Sequence, residues 1–408
     1  IIIYKIVQMT QFKKKKLSFF LIFLIILTIF EFTSFAAIKY FMIFDKYFYH
    51  KHQFISEIDF KSYLDNRDNL TGWPTKEFSK NHLTTSHYRE SPANEKVNDT
   101  CFSVYGDSYA FDVEVDNNDA WPNKLSEKLG CKVLNFGIPG FGLDQAYLRF
   151  KEYNPYNTDV IFTFVEGDYR RASTRMYSLQ SGEGLNIHLT KPFYYLSNKK
   201  LTLSKLPVNT YDEYLQIKKN IQHNEAFNND FFLPDKDYWS MNIPNFPYSY
   251  EIIKLFNKLL VRQISYSVYL KYYRTYDIVS FLGLRKPLEK VIIPPPSYRD
   301  ENIKLNEKIL EAFINECNKK SINCYIVPLP LIMDFNHAAK SKIIKSLLVN
   351  NLLSKNIIEI DRVCLQKNYK SRGIKNNEIK SQLAIGKHYN SITSETIAKC
   401  LNEKLNSN

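Results

Sequence analysis

The chain has 408 residues and is 44% hydrophobic, enough apolar material for one large domain with insertions or for two domains, which excludes wholesale disorder. Its formal charge is +13, but the basic residues are spread along the chain with no nucleic-acid motif. No nucleic acid is therefore expected as a partner, and the charge suits a surface near anionic lipid or anionic glycan.

The N-terminal elements set the expected compartment. Lys13 to Lys16 form a basic run, Leu17 to Phe30 are almost all apolar and uncharged, and Phe32 to Ile38 extend the stretch past Glu31. Crossing a bilayer takes about 20 apolar residues. Tyr40, Phe41, Tyr47, Phe48 and Tyr49 follow like an interfacial aromatic belt. Residues 1–39 are expected to be a cytoplasmic tail and an uncleaved signal anchor, which makes the membrane the first partner and leaves the rest of the chain periplasmic or extracellular. Cleavage near Ser34-Phe35-Ala36 is the rival. Ile1 is not an ordinary start residue and Met9 is the first methionine, so the first eight residues are expected to lie outside the mature protein.

Residues 40–99 are polar and irregular, with Gly72-Trp73-Pro74 as a turn, and read as a stalk and lead-in. From Cys101 the pattern becomes regular. Strands are expected at Cys101–Tyr105, Lys132–Phe136 and Asp159–Val165, with helices at Trp121–Leu129 and Leu143–Tyr153. Regularity lapses over 171–300, an insertion or cap with a hairpin at Phe193–Leu206, a helix near Tyr250–Tyr273 and Pro294-Pro295-Pro296 at its end. It resumes with helices at Glu301–Lys319, Ala338–Leu353 and Ser394–Leu405 and strands at Cys324–Pro328 and Ile357–Asp361. The expected fold is α/β, a three-layer α/β/α arrangement of about five parallel strands built by 100–170 and 301–408. The six cysteines fit an exported protein, and pairing in sequential order is the working hypothesis. No metal-ligand spacing is present, and neither a metal nor a cofactor is expected.

In an open α/β sheet, ligands bind outside the carboxyl ends of the strands. Ser108, in Gly106-Asp107-Ser108, follows the first strand. Gly137-Ile138-Pro139-Gly140-Phe141-Gly142 follows the second, Glu166-Gly167-Asp168 the third, and His388 precedes the last helix. A serine hydroxyl becomes a nucleophile when a neutral imidazole takes its proton, and the N–H groups of Ser108 and Gly140 are candidate donors to an oxyanion. Asp107 is expected mainly to hold its loop by Asx bonding. Asp144-Gln145 are expected to start a helix, and Asp168 and Arg170 to form a surface ion pair.

The run Tyr105-Gly-Asp-Ser-Tyr-Ala-Phe111, then Trp121-Pro122, then Val133-Leu-Asn-Phe-Gly-Ile-Pro-Gly-Phe-Gly-Leu-Asp-Gln145 resembles the SGNH (GDSL-type) hydrolase superfamily, especially its membrane-anchored bacterial members. The resemblance covers about 100–170 and 301–405 and implies a flavodoxin-like sheet. It also implies Ser108 as nucleophile, Gly140 as second-block oxyanion donor and His388 as base. Members are esterases, lipases, carbohydrate acetylesterases and, when membrane-tied, polysaccharide O-acetyltransferases. Two departures stand out. Gly167 occupies the position of the family's Asn donor, and Ile385 and Gly386 stand where an Asp precedes the His. Glu166 and Asp168 are the candidate carboxylates to replace that Asp. The expected function is therefore an extracytoplasmic ester hydrolase or O-acyltransferase acting through a Ser108–His388 dyad on O-acyl groups of an envelope polysaccharide. The alternatives are a non-catalytic glycan-binding protein on a degenerate fold of this kind and a structural envelope protein that holds anionic polymer.

Overall fold

The computed structural model describes residues 2–40, 48–49, 55–154, 158–181, 186–221, 224–232, 241–242, 244–256, 299–331, 342–360, 362–375, 384–385 and 388–407. Its strands used below are β1 (Thr100–Tyr105), β2 (Lys132–Asn135), β3 (Asp159–Phe164), β4 (Phe193–Ser197), β5 (Lys200–Ser204), β6 (Cys324–Pro328), β7 (Ala384–Ile385) and β8 (His388–Tyr389). The helices, to the end of the insertion, are α1 (Ile2–Lys39), α2 (Glu57–Asn66), α3 (Lys76–His82), α4 (Ser108–Phe111), α5 (Trp121–Leu129), α6 (Leu143–Glu152), α7 (Asp168–Arg171), α8 (Tyr177–Ser181), α9 (Tyr211–Asn220) and α10 (248–256). After them come α11 (Asp300–Lys320), α12 (Lys342–Val349), α13 (Arg362–Ser371) and α14 (Ser391–Leu405).

Four parallel strands run in the order β2-β1-β3-β6. Alternate residues along each strand point to opposite faces. Val160, Phe162 and Phe164 of β3 join one core with Tyr105, Leu148 of α6 and Ile309 and Phe313 of α11. Val104, Ile161 and Val327 join the other with Trp121 and Leu125 of α5 and Ile397 and Leu401 of α14. The result is a three-layer α/β/α sandwich, as expected. The fifth strand differs from expectation. Residues 357–360 form no strand, and Ile357 meets Ile326 in a single parallel bridge, with Ile358 N donating to Ile326 O at 3.0 Å. Asp361, the last residue of the expected strand, lies outside the described residues, and a helix starts at Arg362. The cysteines pair sequentially, as Cys101–Cys131, Cys317–Cys324 and Cys364–Cys400.

The lead-in is not a stalk from residue 55 onward. Phe60 and Tyr63 of α2 share a third core with Met176, Leu179, Tyr214 and Phe227 of the insertion. Polar bonds reinforce it: Tyr63 Oη and Thr190 Oγ1 lie 2.6 Å apart, and Arg67 donates to Val208 O and Asn209 Oδ1. The expected hairpin forms as β4-β5, its two-residue loop Asn198-Lys199 having positive φ at both positions, the geometry whose twist matches the flanking strands. Of the helix expected near Tyr250–Tyr273, the described part is α10. Residues 257–273 and Pro294-Pro295-Pro296 lie outside the described residues.

Lys16–Lys39 of α1 holds an 18-residue stretch with a mean hydropathy of 2.4 and is long and apolar enough to cross a membrane, a candidate anchor or signal sequence.

Candidate active site

The direction in which successive strands are added to the sheet reverses between β1 and β3, because β2 lies on one side of β1 and β3 on the other. A crevice opens beyond the strand ends at such a switch point. Ser108 emerges from β1 there as the first residue of α4, whose N-cap is Asp107. Asp107 Oδ1 accepts from Tyr109 N at 2.9 Å, the Asx role expected of it.

Ser108 Oγ lies 2.9 Å from His388 Nε2. The two residues come from opposite ends of the described sheet domain. His388 is carried by β8, which pairs antiparallel with β7 just before α14. Its ring packs at 4.9 Å from the ring of Tyr109, the residue after the serine, and Tyr109 packs edge-on against Tyr389. Tyr389 is anchored by its hydroxyl donating to Pro330 O at 2.6 Å. With the imidazole neutral, the hydroxyl donates to Nε2 and Nδ1 carries the proton.

Glu114 faces that second nitrogen. Its Oε1 lies 3.5 Å from His388 Nδ1, and the two side chains are 38% and 24% exposed. The carboxylate at Nδ1 is thus Glu114 and not the expected Glu166 or Asp168. Glu166 stands at the turn into α7, where its carbonyl accepts from Tyr169 N. Asp168 is buried and turned inward, taking Val165 N at 3.0 Å and Arg171 Nη1 at 2.6 Å. Glu114 was missed because it sits outside the last sequence block, six residues beyond the serine. An acid in the same loop as the nucleophile was the available signal.

Arg89 of the lead-in braces the Glu114 loop. Its buried guanidinium donates to Phe111 O, Asp112 O, Val115 O and Asn117 Oδ1, so one planar fork gathers carbonyls on both sides of Glu114. Asp112, buried beside it, accepts from Trp121 N at 2.8 Å. Burial pushes the Asp112 carboxyl up to about 7, against the Ser394 hydroxyl, the Trp121 N–H and the Arg89 charge, which favour the ionised form.

Under the serine lies a second cluster. Arg171 Nη1 donates to Asp107 Oδ2 at 3.0 Å, to Asp168 Oδ1 at 2.6 Å and to Phe141 O at 3.2 Å. One guanidinium therefore ties together the loops that follow β1, β2 and β3. Arg171, not the expected Arg170, is the partner of Asp168, and the pair is buried rather than superficial. Burial alone would lower the Arg171 guanidinium, but the charges of Asp168 and Asp107 outweigh it and hold it above its ordinary value. Two carboxylates share this one cation. Burial first, then the charge of Asp107, raises the Asp168 carboxyl well above its ordinary value, opposed by Arg171. A proton on Asp168 leaves Arg171 and Asp107 as a balanced ion pair.

Gly140 has φ +83°, the left-handed region where glycine is at ease. Gly137 cannot be larger, since a Cβ there would come within 2.6 Å of Phe111 N. The glycine loop is thereby pressed against α4. Neither Ser108 N–H nor Gly140 N–H donates to a protein acceptor among the described residues. Trp73 Nε1 donates to Pro139 O at 3.2 Å and holds the loop from the lead-in side. Asp144 and Gln145 do more than open a helix. Asp144 is ion-paired with Lys191 of the insertion, both fully buried, and Gln145 Nε2 donates to Thr71 O at 2.8 Å.

No protein-family model matches the chain, and no curated protein matches it. Among solved structures it is similar to a chain described as a lipolytic protein of the G-D-S-L family, from Desulfitobacterium hafniense DCB-2. The match has a TM-score of 0.33 and 11% identity and covers 75% of this chain and 99% of that one.

Proposed function

We propose that the chain is an ester-cleaving or acyl-transferring enzyme working through Ser108 and His388 outside the cytoplasm, tethered by α1. The observation that carries this reading is the 2.9 Å separation of Ser108 Oγ and His388 Nε2, within the reach a base needs to take the hydroxyl proton. Ser108 Oγ attacks the ester carbonyl as its proton passes to Nε2. The oxyanion of the tetrahedral intermediate is received by the Ser108 and Gly140 amides, which have no competing protein acceptor among the described residues. His388 returns the proton to the departing alkoxide, leaving an acyl-serine. Glu114 stabilises the imidazolium and its tautomer from the Nδ1 side. A water, or a sugar hydroxyl, then gives its proton to His388 and takes the acyl group from Ser108. The substrate class that suits a basic, membrane-tethered chain is an O-acylated envelope polysaccharide. The domain limits proposed with it are a tether over 1–39, a lead-in over 40–99, an insertion over 171–300, and a sheet domain from 100–170 and 301–408.

A fluorophosphonate probe tests this directly. The purified chain should be labelled at Ser108, and Ser108→Ala should abolish the label. An unlabelled chain with intact fold overturns the reading. The rival, a glycan-binding protein on this fold, draws on Gly167 standing where a side-chain oxyanion donor is expected. It requires glycan binding that survives Ser108→Ala in a chain that never labels.

A further inference from the structure

The uncharged run Leu17–Phe30 is 14 residues long. At about 1.5 Å per residue it is only about 21 Å in length, short of a hydrocarbon core of about 30 Å. A helix that crosses must use the residues up to Ile38, which draws Glu31 below the surface. Glu31 is the one charged residue between Leu17 and Ile38. The hydroxyls of Thr28 and Thr33 nearby are satisfied by Leu24 O and Ile29 O of their own helix. A carboxylate at that depth is costly unless it is bonded.

Glu31 is bonded, and the donors are informative. Its Oε1 accepts from Tyr248 N at 2.5 Å and its Oε2 from Ser249 N at 2.8 Å. These amides open α10 and belong to the donors that a helix cannot satisfy internally. The ring of Phe35 packs at 5.2 Å from that of Tyr248. Between the two helices runs a groove of about 520 Å³ lined by Leu27, Phe32, Phe35, Phe246 and Tyr248. Away from that groove, Tyr250 of α10 is 60% exposed, Ile253 63% and Phe256 52%. Steps of three residues put these three side chains on one stripe of the helix. The helix that carries it starts at Glu31, beside an α1 whose own apolar side chains from Leu17 to Phe32 are also exposed.

We infer that residues 246–256 are a second membrane element. α10 lies in the outer leaflet against α1, its stripe of Tyr250, Ile253 and Phe256 facing acyl chains, with its first amides and Glu31 satisfying each other. The inference rests on α1 being a retained anchor. The occupant of the stripe is lipid because the helix that carries it is docked at its first residues on Glu31 and Phe35 of α1, whose neighbouring apolar side chains are themselves exposed.

The test uses the full chain in nanodiscs of phosphatidylethanolamine and phosphatidylglycerol. All six cysteines are paired, so a single introduced cysteine is the only free thiol. An environment-sensitive fluorophore is placed in turn at Ile253→Cys and Phe256→Cys. Ile25→Cys marks the span, and Leu203→Cys marks the exposed hairpin. Spin-labelled lipid should quench 253 and 256 as strongly as 25 and at least about twofold more than 203, with aqueous iodide giving the reverse order. Glu31→Ala should reduce lipid quenching at 253 while leaving 25 unchanged. Iodide quenching at 253 and 256 equal to that at 203 overturns the inference, and so does shielding from both quenchers, which means that protein covers the stripe. A purified chain whose mass lacks the residues before 40 removes the anchor itself. Lipid quenching at 25 without quenching at 253 sinks the second element alone.

Discussion

On the serine side of the site, the charged groups are buried and bonded several times over. Asp107 is held by Tyr109 N and Arg171, Asp168 by Val165 N and Arg171, and the glycine loop by Phe141 O and Trp73. On the histidine side the groups that meet are partly open to water. His388 stands on a two-residue strand and Glu114 reaches it at 3.5 Å from a loop whose backbone alone is clamped by Arg89. The difference teaches that this chain invests its rigidity on the side where, under the proposed function, a negative charge would develop. Fixed donors there need no reorganisation as the charge appears, whereas an imidazolium at a wet edge can be stabilised partly by solvent.

The largest effect that tests this contrast is at its centre. Ser108→Ala should lower ester turnover by at least about 10³-fold, since loss of a nucleophile removes the covalent route whole. Activity on a chromogenic acetate ester is the measurement, and a residual rate within tenfold of the parent would break the assignment. Next comes the buried side. Arg171→Met leaves Asp107 and Asp168 facing each other without their cation, and should cost about 3–5 kcal/mol in denaturant unfolding along with most of the turnover. Adding Asp168→Asn should restore part of the stability. A variant as stable as the parent would show that the cluster under the serine is not the rigid half.

Glu114→Gln should be milder, about 10- to 100-fold in turnover with an unchanged melting temperature, well below the about 10⁴-fold known for a fully buried orienting acid. An effect as large as that of Ser108→Ala would mean the histidine side is as tightly organised as the serine side. The most gradual effect concerns the joint between the halves. The Asp112 carboxyl, raised to about 7 by burial, keeps its proton in the fold at pH values where the unfolded chain has lost it. The native state therefore binds more protons through that window, and stability should fall as pH rises from about 4 to 7 and level off above, by a total on the order of a few kcal/mol. Asp112→Asn, which can keep the bond from Trp121 N, should flatten this slope in melting curves taken at pH 5 and pH 8.

The strands and helices of 100–170 and the long helix Asp300–Lys320 were legible because each carries its own local signal: an unbroken β-branched and aromatic run in β3, and Gly130 at the C-cap of α5. The pairing of Ser108 with His388 was legible through chain order, since both fall at strand ends on one rim of a parallel sheet. The acid was not legible, because the loop carrying Glu114 takes its shape from Arg89, outside the sheet domain. The lead-in looked like a stalk for a related reason. Phe60, Tyr63 and Trp73 have no periodic context of their own and become core only when the insertion closes over them.

By itself, then, the order of residues determined the layered α/β architecture, the turn that sets Ser108 at the strand end and the histidine that can reach it, since those depend on periodicity and on capping and turn chemistry within a few residues. Tertiary structure alone decided which carboxylate faces Nδ1, which arginine binds Asp107 and Asp168, and what the aromatic residues before Thr100 pack against. Those partners lie up to hundreds of positions apart, and a charge or ring carries no local mark of its partner. Burial makes the choice, because a desolvated group must find a complementary neighbour wherever the fold supplies one.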